Sequence, residues 1–179
     1  MGFHDANKQI DSIVEYKTVY GKPYSNQVWV INSKKDTLEH KGNYFNSFLK
    51  DTINLGEIYR LHFFLFQPFF SYDSDIEIVL PKYDVELNFD YSNFNKIERD
   101  TLKSLKNDNI PHPEIPKDYF LNLQVQFGLK YNDSGKKRIR GVLIEYINNF
   151  NNAKFPDSVY RQERRLFFDK KFYIKDTIN

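Results

Sequence analysis

The sequence contains no cysteine. Disulfides, zinc–thiolate sites and a thiol nucleophile are therefore excluded, and the redox compartment stays open. Only seven glycines and seven prolines are spread over 179 residues. That argues against a fibrous or low-complexity chain and leaves little material for a phosphate-cradling loop. Neither a Gly-x-Ser-x-Gly elbow nor a kinase-type set occurs. Long apolar runs are also missing. The longest, Phe63-Phe64-Leu65-Phe66, falls far short of the roughly 20 residues of a membrane helix. Charge of one sign is missing too, since 26 Lys and Arg oppose 24 Asp and Glu for a net +2. So small an excess excludes nothing outright but gives no reason to expect nucleic acid as a partner. The densest basic cluster, Lys136, Lys137, Arg138 and Arg140, reads as a charged hairpin end.

Aromatics are what the chain has in abundance: 17 Phe and 13 Tyr, 17% of all residues with the single Trp. Such residues suit pleated, half-buried surfaces. Residues 1–26 read as a polar leader, with a short helix possible at Ile10, Ile13 and Val14. Residues 27–179 read as one domain. Gln27 to Asn32 is a strand, and Thr37 to Phe48 holds one or two short ones. A long strand follows, with Tyr59, Leu61, Phe63 and Leu65 on one face, ending at Pro68. Asp75 to Leu80 and Val85 to Phe89 read as a hairpin about Pro81. A short helix fits within 92–109, and Asn109 to Pro116, with three prolines, is an extended connector. Leu121, Leu123, Val125, Phe127 and Leu129 alternate with Asn122, Gln124, Gln126 and Gly128, so the first set is expected inward and the polar set outward. Arg138 to Ile147 is the return strand. Arg161 to Phe168 and Lys171 to Ile174 form the last pair, broken near Asp169-Lys170. Seven to nine such strands predict an all-β antiparallel sandwich with a short helical or irregular insert around 92–117.

The candidate chemistry is sparse. His4, His40, His62 and His112 form no short metal spacing. Asp73, Asp75 and Glu77 alternate into a strand and could converge on calcium, although a solvated strand entrance is the favoured reading. Asn132-Asp133-Ser134 matches a glycosylation sequon and also a plain turn. No cofactor is implied, and no catalytic residue stands out. The candidate binding residues are aromatic and apolar. Phe69, Phe70 and Tyr72 lie beyond Pro68, where the strand leaves the core, and loop aromatics are typical interface anchors. Ile110, His112 and Ile115 of the insert are the second set, with edge-strand cover as their bland role.

Asp51-Thr52-Ile53-Asn54-Leu55-Gly56-Glu57-Ile58-Tyr59 resembles the strand entry of immunoglobulin-like domains in Gram-negative envelope lipoproteins. The segments Arg140 to Tyr146 and Arg164 to Ile174 resemble the last hairpin of those domains. The resemblance spans about residues 50–175 and is interrupted by the insert. It implies an immunoglobulin-like sandwich at the cell envelope, periplasmic or on the outer surface. Residues 2–8 would suit the stretch after a lipidated cysteine; a native start at Met1 would instead imply the cytosol. The function expected is a non-enzymatic protein-binding or structural module. The alternatives are an immunity protein that caps a secreted toxin and, from another class, a calcium-dependent hydrolase or lectin-like binder.

Overall fold

The computed structural model describes residues 11–83, 85–116, 119–149 and 160–176, with backbone alone for Glu39, His40 and Asn149. Among them are ten strands: β1 (Asp11–Val19), β2 (Lys22–Ile31), β3 (Thr37–Phe48), β4 (Thr52–Asn54), β5 (Ile58–Gln67), β6 (Asp75–Pro81), β7 (Arg99–Lys103), β8 (Gln124–Lys130), β9 (Gly135–Asn149) and β10 (Tyr160–Lys175). They build two five-stranded sheets, in the orders β1-β2-β3-β5-β8 and β4-β10-β9-β6-β7. Every pairing is antiparallel except the short parallel contact of β4 with β10. The protein is an all-β sandwich.

Alternation explains the main core. On β5, Tyr59, Leu61, Phe63 and Leu65 are buried while Ile58 and Arg60 face solvent. Ile76 and Ile78 of β6, Val125 of β8, Leu143 of β9 and Leu166, Phe168 and Ile174 of β10 meet them between the sheets. Each such side chain contributes about 1.5–3 kcal/mol by leaving water. A second core lies on the other face of β9 and its neighbours. Val79, Val142, Ile144 and Phe167 pack there against Val19, Leu87, Tyr91 and Phe94. The run Val142-Leu143-Ile144 is therefore apolar on both sides, as a strand covered on both faces must be.

The connections fall at two ends. Turn 32–36, loop 68–74 and the 104–123 connection share the upper end. Turn 20–21, segment 82–98 and turn 131–134 share the lower end. At Gly42 φ is +92°, and an added Cβ would stand 2.2 Å from Val28 O, so only glycine fits this crossing of β2 and β3.

Several expectations are corrected. Residues 11–26 are not a leader with a helix but β1 and half of β2, a hairpin within the first sheet; residues 1–10 lie outside the description. Residues 85–89 form no strand. Asx turns rule there: Ser92 N donates to Asp90 Oδ1, Asn88 N to Asn93 Oδ1, and Asn93 Nδ2 to Glu86 O. β6 pairs instead with β7 and β9. No helix forms within 92–109; turns lead directly into β7. Thr37–Phe48 is one strand, and β10 runs unbroken through Asp169 and Lys170. Gln124 is buried and Asn122 half-buried, against the outward expectation. Each has partners: Gln124 Oε1 lies 3.0 Å from His62 Nε2, and Asn122 Nδ2 donates to Tyr72 O and Ser74 O. Leu121, Phe127 and Leu129 are only half-buried.

Candidate functional site

The upper end is built on one buried acid. Glu145 of β9 has no exposed surface. Its Oε1 accepts from Phe69 N and Phe70 N at 2.9 Å, and its Oε2 accepts from Phe69 N at 3.0 Å. Ser74 Oγ is 3.0 Å from Oε1, but its proton has a nearer acceptor in Ser71 O at 2.6 Å. A carboxylate held by amides is a strong, charge-assisted contact. Pro68 ends β5 and supplies no donor, so the next two amides are free to turn onto the acid.

This fixes where the candidate aromatics stand. Phe69 is 59% exposed, with its ring 5.3 Å from Phe70 and under the Arg164 guanidinium at 4.9 Å. Phe70 is half-buried. Both line a shallow cleft of about 580 Å³ with Tyr24, Tyr160 and residues 161–164. Tyr72 turns the other way and stacks on Phe120 at 4.9 Å, with its hydroxyl donating to Gln67 Oε1. Tyr119, Phe120 and Tyr160 are 58%, 44% and 57% exposed on this end.

The second predicted set separates. Ile110 is 62% exposed, whereas Ile115 is half-buried and donates its amide to His112 O. His112 Nε2 is 2.8 Å from Asp108 Oδ2 and its other nitrogen is 3.6 Å from Glu114. It thus ties the insert to itself. The middle of the insert bonds the chain at and just before the start of β8: Leu105 N donates to Gln124 O and Lys106 N to Leu121 O. Of the insert residues, Ile110 alone keeps the geometry of an exposed anchor.

The acid triad does not converge. Glu77 is in an ion pair with Arg161 at 2.5 Å. Asp75 accepts from Asn107 and from Ile76 N, and burial pushes its pKa up. Asp73 is exposed. Among the described residues no three His, Cys, Asp or Glu side chains stand where they could hold a metal. Three of the four residues of the basic cluster are paired with acids. Lys137 pairs with Asp133, and Arg138 and Arg140 both pair with Asp169. His62 is half-buried, which depresses its pKa against the opposing bond to Gln124. Asn132 is exposed in the turn between β8 and β9.

The lower end carries a cleft of about 890 Å³. The ends of β6, β8 and β9 form its apolar floor through Leu80, Leu129 and Ile139, and residues 82–83, 85–90 and 92 form its wall. Sequence reasoning singled out neither Glu145 nor Tyr83 and Phe89 of this wall. A lone Glu inside Gly-Val-Leu-Ile-Glu-Tyr was the available signal for Glu145, because an acid in a strand buried on both faces needs a partner. The cleft has no such signal, since five separate segments meet to form it.

Comparison of the chain with protein-family models, with curated proteins and with solved structures gives no match.

Proposed function

We propose that the chain is a non-enzymatic protein-binding module whose contact surface is the upper end, centred on Phe69. One observation carries this reading: buried Glu145 clamps the Phe69 and Phe70 amides while the Phe69 ring stays 59% exposed. An aromatic on a fixed backbone loses little freedom on binding and supplies a desolvated anchor. Tyr160, Tyr119, Phe120 and Ile110 extend the same end. The non-enzymatic part rests on what the acids do. Glu77 is neutralised by Arg161, and Glu145 is occupied by backbone amides. A placement in a Gram-negative envelope rests on the strand resemblance alone.

The test is a pull-down from an envelope fraction with the wild type and with Phe69→Ala plus Phe70→Ala, bound proteins being identified by mass spectrometry. The expected result is at least a tenfold loss of a specific partner, since anchors contribute about 1–4 kcal/mol each. Unchanged recovery with a variant of native circular dichroism removes this surface from consideration. A toxin as the captured partner selects the immunity role; a surface-assembly component selects the accessory role.

A further inference from the structure

We propose that the lower cleft is a binding site for a small organic cation, an ammonium group carried on an aromatic or aliphatic body. Its wall is rigid for a loop. Arg140 donates to Leu87 O and to Phe89 O, Tyr20 N bonds Asp90 O, and Tyr91 OH donates to Phe168 O. Tyr91 holds φ +59° while fully buried, its ring packed at a steep tilt against Phe167 with centroids 4.6 Å apart. A non-glycine residue in that conformation persists only where its surroundings impose it. From this anchored wall Tyr83 and Phe89 stand 83% and 75% exposed, over a floor of Leu80, Leu129 and Ile139. Tyr131 faces the same cleft and feels the Tyr83 phenol, which adds to the burial that raises its own pKa. Two rings held in solvent at the mouth of an apolar cleft of this size are what a ligand's body would cover.

The charges select the sign of the ligand. Three cations line the cleft, and each is engaged. Lys82 pairs with Glu98 at 3.0 Å, Arg138 pairs with Asp169, and Arg140 shares Asp169 besides its two carbonyls. Against them stand the carboxylates of Glu86, Asp90 and Asp100 in the lining, besides Glu98 and Asp169; Asp100 also acts on Lys82, and Arg140 acts on Asp90. Aromatic faces beside carboxylates favour a cation, through the ring quadrupole and through Coulomb attraction.

The experiment is a heteronuclear NMR titration of the whole chain with phenyltrimethylammonium and, separately, with benzenesulfonate. The cation should give saturable shifts in segments 80–92 and 129–140, with a Kd on the order of 1 mM for so small a probe. Benzenesulfonate should bind at least about tenfold more weakly. Tyr83→Ala and Phe89→Ala should each weaken the cation by about fivefold or more; both rings are exposed, so the fold should be untouched. Glu86→Gln with Asp100→Asn should narrow the gap between the two probes. The proposal is overturned by equal binding of both probes, by shifts that do not saturate below about 20 mM, or by saturable binding that survives the loss of both rings. It is independent of the upper end, so Phe69→Ala should leave the titration unchanged.

Discussion

Glu145 decides whether the Phe69 loop has a fixed backbone. Replacing it with Ala leaves the Phe69 and Phe70 amides without their acceptor in a part-buried site. An orphaned buried donor costs about 1–3 kcal/mol, so a loss of about 2–4 kcal/mol is expected for Glu145→Ala in urea unfolding. Glu145→Gln retains one carbonyl acceptor and should fall between that variant and the wild type. A loss under about 0.5 kcal/mol for the alanine variant, an ordinary surface value, would sink the clamp. His62 gives a second residue-scale outcome. Burial lowers its pKa in the folded state, so the unfolded chain, near 6.5, takes the proton first. Its contribution is present above about pH 6.5 and is lost as pH falls through the folded value. The stability difference between wild type and His62→Gln should therefore shrink on going from about pH 7.5 to about pH 5.5; a difference that grows contradicts the assignment. Residues of this kind are hard to read from sequence. Gln124 has the position of a solvent-facing strand residue and is buried because the insert and His62 enclose it.

At the scale of elements, the junction of the sheets depends on Asn26 of β2. Its carboxamide donates to Phe167 O at 2.9 Å, and its Oδ1 accepts from Phe167 N at 2.7 Å. One side chain thereby does for β10 what a neighbouring strand would do. The same amide reaches Glu15, whose carboxyl stays below its usual range because Asn26, Gln27 and Lys17 together outweigh its burial. Asn26→Ala leaves the Phe167 amide and carbonyl unpaired inside the fold and should cost about 2–4 kcal/mol. For a chain of this size that is a fall in Tm of about 4–16 °C by calorimetry; a fall under about 2 °C would mean that water or β2 backbone replaces the amide. β5, with one clean buried face, was legible from alternation alone, and so was β6, although its Val79 enters the second core. β1 was not. Its residues before Val19 are exposed or half-exposed and its register shifts after Glu15, so Ile13 and Val14 mimic a helical spacing. Segment 85–89 misled in the opposite way. Val85, Leu87 and Phe89 alternate like a strand, yet Leu87 enters the second core while Phe89 is left in solvent.

For the whole molecule, two cores on opposite faces of one sheet predict an uneven distribution of stability. β9 and the middle of β10 lie between them, with Val142, Leu143, Ile144, Leu166, Phe167 and Phe168 all buried. Opening this layer breaks both cores at once, so its amides can exchange only through global unfolding. β1 and β7 are edges whose side chains, Val19 apart, are exposed or half-exposed. They can open while the centre persists, at a cost well below the global free energy. Native-state hydrogen exchange should therefore show the slowest amides at 142–145 and 166–168, with free energies equal to that from urea unfolding. The amides of β7 should exchange at least about tenfold faster, a gap of about 1.4 kcal/mol or more. The upper loop tests the link from core to surface. Phe69 and Phe70 lie outside any strand, and ordinary loop amides exchange readily. Clamped on Glu145, they should instead be protected nearly as well as β6, and Glu145→Gln should release them selectively while 142–144 stay slow. Exchange at Phe69 and Phe70 as fast as in turn 32–36 would show that the loop opens without the core and that the Phe69 ring is not presented on a fixed backbone.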